Sequence, residues 1–176
     1  MRRLVLALVP ALLIGCSTLS PSSAQLSSPS PTASAEPPPQ GAHVIPGGCG
    51  STPLLSGGIP AWVDEAGAHN NPDGLPYVLA SSTRAAGFIF GYPLSASRQD
   101  PSNKILWVVG VPRNGYSLEI TGHPLNELTP VVHVTQAANS FPGEIYPVIV
   151  DVPRAGCWHF DLAWAGNKAS VDLMYG

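Results

Sequence analysis

Charge is scarce in this 176-residue chain. Asp, Glu, Lys and Arg together make up 11% of it, less than half the roughly 25% of an ordinary globular protein. Only eight residues are cationic, two of them lysine, against eleven acids, for a net charge of −3. A nucleic-acid binder needs clustered cations to neutralise phosphates, so that class is excluded. A wholly disordered chain is excluded too, because such chains stay unfolded by being polar and highly charged. Long apolar runs are also missing. The stretch over residues 4–14 has eleven residues, about half of the ~20 that a bilayer-spanning helix needs. What abounds is backbone punctuation, with 20 prolines and 18 glycines. At that density helices are interrupted, which excludes a long helical bundle.

The chain opens with Met1-Arg2-Arg3, then the apolar run, then Gly15 and Cys16. A cationic start, a short apolar core and a small residue before a cleavage point describe an export signal. Leu13-Ile14-Gly15-Cys16 resembles the lipobox of bacterial lipoproteins. That resemblance implies that the Cys16 sulfur receives a diacylglycerol and that residues 1–15, the signal peptide, are then removed. The implied address is the extracytoplasmic face of the cell membrane, with the membrane itself as a partner through the lipid anchor. Two acyl chains give stable anchoring where a single chain gives only marginal binding.

Residues 17–48 hold seven prolines, eight serines and one acid, Glu36, with no apolar period. Such a segment buries too little surface to offset the entropy of ordering it. It reads as a disordered tether, so that residues 16–48 form a lipidated N-terminus and stalk. The folded domain is then expected over residues 49–176.

Within that domain, short apolar or alternating runs recur at 77–81, 86–94, 104–111, 117–121, 131–135, 145–152, 157–164 and 169–175. Turn signals separate them, among them Gly122-His123-Pro124 and Ala165-Gly166-Asn167-Lys168. This pattern predicts an all-β fold, an immunoglobulin-like antiparallel β-sandwich of about seven to eight strands. The clearest hairpin joins the last two runs, where Trp158, Phe160, Leu162 and Trp164 alternate with more polar residues. Run 104–111 is apolar on both faces, as in a strand covered on both sides. One short helical turn is expected near residues 60–66, packed over an open end of the sandwich.

Gly87-Phe88-Ile89-Phe90-Gly91-Tyr92-Pro93, Asn103-Lys104-Ile105-Leu106-Trp107-Val108-Val109, Gly156-Cys157-Trp158-His159-Phe160 and Val171-Asp172-Leu173 resemble stretches of a group of actinobacterial lipoproteins that have no assigned activity. The resemblance implies an immunoglobulin-like domain and contributes no catalytic residue.

With Cys16 taken by lipid, Cys49 and Cys157 remain. In an oxidising compartment an even pair reads as one disulfide. Motifs for catalysis are missing: there is no Gly-x-Ser-x-Gly, no Ser-x-x-Lys, no phosphate loop and no His-Glu-x-x-His. No cofactor is expected. His123, His133 and His159 are weak metal candidates, with Asp161 on the same strand face as His159 by its i, i+2 spacing. Trp62 and Tyr92 are candidate ligand contacts, Trp62 above all because it lies outside the regular strands. The expectation is a non-catalytic binding or interaction domain engaging an envelope protein or glycan. A small-ligand or metal-binding lipoprotein is the alternative, and a hydrolase acting on envelope polymer ranks third.

Overall fold

The computed structural model describes residues 38–68, 74–81, 84–96, 101–110, 114–139 and 144–176. The expected signal peptide over residues 1–15, Cys16 and the segment read as tether up to residue 37 lie outside the described residues. The remainder is an all-β sandwich of two antiparallel sheets. One sheet has six strands in the order β1(Ala42–Cys49), β2(Thr52–Gly57), β3(Tyr77–Leu79), β4(Ala85–Ile89), β5(Lys104–Val109) and β8(Glu144–Ile149). The other has four, in the order β10(Asn167–Tyr175), β9(Gly156–Trp164), β6(Leu118–Pro124) and β7(Val132–Gln136). The chain leaves the first sheet after β5, forms the β6–β7 hairpin in the second, and returns so that β8 pairs with β5.

All eight expected runs are strands, and two further strands precede them. The domain therefore does not begin at Cys49: β1 starts at Ala42, inside the segment read as tether. Its Pro46-Gly47-Gly48 hides the alternation, and β1 survives them because it is an edge strand with a break in register between Ile45 and Cys49. Gly122-His123-Pro124 is also corrected, from a turn to the end of β6. Gly122 is there for close approach, since a Cβ on it would stand 2.3 Å from the Phe160 ring. The Ala165–Gly166 connection is the tight turn expected. Both residues have positive φ (45° and 81°), the primed geometry that matches strand twist.

The main core lies between the sheets. Ile105, Trp107, Tyr146 and Val148 from one side meet Ile120, Trp158, Phe160, Leu162 and Tyr175 from the other. A second apolar cluster covers the outer face of the six-stranded sheet. There a helical turn, Ala61–Val63, continues into a π-helical turn, Asp64–Ala68. Val63 and Ala66 pack on Tyr77, Ala86, Phe88 and Val108. The turn thus caps a sheet face rather than an open end of the sandwich. The strand-period alternation of β4 and β5, apolar on both faces, left a surface that something had to cover. Burial raises the phenol of Tyr77 to about 12, and Tyr146 and Tyr175 are shifted upward for the same reason.

Candidate functional site

The helical turn does more than cover apolar surface, because it also forms one wall of an open groove of about 740 Å³. Trp62, half-buried, lines it. The tryptophan ring edge rests on Gly110, where a Cβ would meet Trp62 Cε3 and Arg84 Cβ, each at 3.0 Å. A side chain at 110 would crowd both the indole and Arg84. Gly110 is held in turn by its N–H, which donates to the Arg84 carbonyl at 2.8 Å. Asp64, Glu65 and Arg84 add two carboxylates and a guanidinium to the lining. The opposite wall is the chain around Gln40 and Gly58. It is fixed because the Gly58 N–H donates to the Gly41 carbonyl at 3.0 Å and the Tyr77 hydroxyl donates to the Gly58 carbonyl. An aromatic surface with charged groups of both signs around it, open along its length, suits an extended polar ligand.

Tyr92 lies outside this groove. Its hydroxyl donates to the Pro46 carbonyl at 2.6 Å, which ties β1 to the segment after β4. The hydroxyl is thus engaged within the fold, while the residue stays 43% exposed.

The two remaining cysteines do form the disulfide, with Cα atoms 5.9 Å apart and 108 residues of separation. It fastens the end of β1, in one sheet, to β9, in the other. Beside it the β1–β2 turn docks on β10. The Ser51 N–H donates to Asp172 Oδ2 at 2.8 Å, and the Asp172 N–H donates to Thr52 Oγ1 at 2.8 Å. Gly50 takes φ +56°, and a Cβ on it would come within 2.1 Å of Asp172 Oδ2. Asp172 is consequently only 4% exposed although it points away from the main core. Its other oxygen, Oδ1, accepts from His159 Nδ1 at 2.7 Å.

Of the three candidate histidines, two come together. His123 and His159 face each other across β6 and β9, with ring centroids 5.4 Å apart. His133 stays separate, with Nδ1 3.1 Å from Thr121 Oγ1 and Nε2 3.5 Å from Thr135 Oγ1. Among the described residues, no three of His, Cys, Asp and Glu are grouped to hold a metal ion as the side chains lie. Sequence reading passed over Arg84 and Asp172. Nothing local marks either one, because the groove and the β1–β2 turn that give them their surroundings are built from distant parts of the chain.

Comparison of the chain with protein-family models, with curated proteins and with solved structures found no match.

Proposed function

We propose that this protein is a lipid-anchored, non-catalytic binding module of the cell envelope. In this reading Cys16 carries the anchor, residues up to about 40 form the spacer, and the Trp62 groove takes a segment of envelope glycan. The observation that carries the ligand class is the groove itself: an indole seated on Gly110 with Asp64, Glu65 and Arg84 around it. Sugar rings present an apolar face to an indole and hydroxyls to charged groups, so both kinds of lining are used. The export signal and lipobox of the sequence support the address.

Co-sedimentation of the mature protein with purified cell-wall polymer tests the reading. The native protein pellets with the polymer and Trp62→Ala binds roughly 30-fold more weakly, the ~2 kcal/mol of a truncated aromatic anchor. Equal sedimentation of the two proteins would remove the groove as the site. Release of reducing ends from the polymer would show the hydrolase instead.

A further inference from the structure

The outer face of the four-stranded sheet carries a second constellation, separate from the groove. His123 on β6 and His159 on β9 are register partners, so both imidazoles stand on one face. Their ring nitrogens are not equivalent. His159 Nδ1 is 2.7 Å from Asp172 Oδ1, and His123 Nδ1 is 2.9 Å from the Pro124 carbonyl. Neither a carboxylate nor a carbonyl can donate, so each Nδ1 must carry the hydrogen. A neutral imidazole has one N–H, which leaves Nε2 of both rings with a bare lone pair. A histidine that donates one nitrogen to a buried carboxylate or backbone carbonyl and offers the other is in the state required of a metal ligand.

The spacing agrees. Around a tetrahedral ion with ligands at about 2.0–2.1 Å, donor atoms lie about 3.3 Å apart and imidazole centroids about 5 Å apart. Here the centroids are 5.4 Å apart, and Asp161 Oδ1 lies 3.7 Å from His159 Nε2. We infer that His123 and His159 form a two-imidazole site for a divalent transition-metal ion, with Zn²⁺ the ion whose preferred ligands it offers, completed by Asp161 and water. Asp161 does not yet close the set, but its side chain is 67% exposed and free to change rotamer. Asp172 acts as a positioning residue: held by Ser51 of the β1–β2 turn and Thr52 of β2, it fixes the His159 ring and its Nδ1–H tautomer.

The test is Zn²⁺ titration of the mature, oxidised protein without an affinity tag, by calorimetry and by NMR of the histidine rings. The expected result is one Zn²⁺ per chain, with Nε2 resonances of His123 and His159 shifting and those of His133 unmoved. His123→Ala weakens binding at least tenfold, His133→Ala leaves it unchanged, and Asp172→Asn weakens it about 10- to 100-fold, the usual effect of losing an outer-shell partner. Because Asp172 also holds the β1–β2 turn, the ring shifts of the native protein provide a reading that no variant can disturb. Absence of stoichiometric binding, or equal losses in His123→Ala and His133→Ala, would overturn the assignment.

Discussion

Removing the Cys49–Cys157 disulfide, by reduction or by the paired change Cys49→Ser and Cys157→Ser, is expected to lower stability by about 4.7 kcal/mol. That is the loop-closure entropy of a crosslink spanning on the order of 100 residues, and the separation here is 108. The expectation is large against the roughly 5–15 kcal/mol by which domains are usually stable. Its structural consequence is specific as well. β1 is an edge strand joined to the rest of its sheet only through β2. The disulfide and the Asp172 hydrogen bonds fasten the β1–β2 turn to the four-stranded sheet. Without the covalent bond the hairpin keeps only hydrogen bonds there, those of Asp172 on the turn and that of Tyr92 on Pro46. Amide exchange in β1 and β2 should therefore accelerate before exchange in β9 and β10. Denaturant unfolding with and without reductant, followed by residue-resolved exchange, checks both parts. A loss below about 1 kcal/mol, or uniform acceleration across the domain, would contradict the prediction.

A second large effect is expected at alkaline pH. Tyr77, Tyr146 and Tyr175 are all fully buried. Desolvation disfavours the phenolate in each, with the Glu144 hydrogen bond and charge adding to the effect at Tyr146 and the Asp151 charge at Tyr175. Tyr77 is pushed up to about 12, and the other two are shifted upward as well. In the unfolded chain a tyrosine ionises near 10. The folded state thus holds protons that the unfolded state releases. Their contribution is intact below pH ~10 and is lost as pH rises from there through the folded values. From pH 10 to 11 each tyrosine removes about 1 kcal/mol, because the unfolded phenol is only half ionised at the start, so three remove about 3, and the slope then approaches ~1.4 per pH unit for each. Urea midpoints measured at pH 8, 9 and 11 should be level up to the second point and fall steeply to the third. Loss of β-sheet circular dichroism and the rise of tyrosinate absorbance from these residues should coincide. Ionisation of the three near pH 10 with the sheets intact would contradict the account.

The parts of the fold that sequence reading recovered are those governed by local periodicity. Trp158, Phe160, Leu162 and Trp164 alternate because β9 has one core face and one outer face, and that signal needs no knowledge of the partner strand. β1 was lost because an edge strand tolerates Pro46 and a register break, which makes its composition look like that of the stalk before it. Gly122 misled for a related reason. Glycine serves turns and close approaches alike, and only the position of Phe160 tells them apart. At the groove, Trp62 stood out by lying outside the strands, but Arg84 and Gln40 join it only through the folded path of the chain. Asp172 shows the limit most plainly. It occupies an outward-facing strand position that reads as exposed, and it is buried by a turn about 120 residues earlier in the chain. Long-range covering of this kind leaves no local trace.

The proposal that an exported lipoprotein presents this sandwich at the envelope is tested most directly by the intact mass of the protein extracted from its own membranes. The account predicts a chain that begins at an acylated Cys16, lacks residues 1–15, and is two hydrogens lighter than its reduced form because Cys49 and Cys157 are joined. A species that retains Met1, or one with an unmodified Cys16 recovered from the soluble fraction, would contradict it.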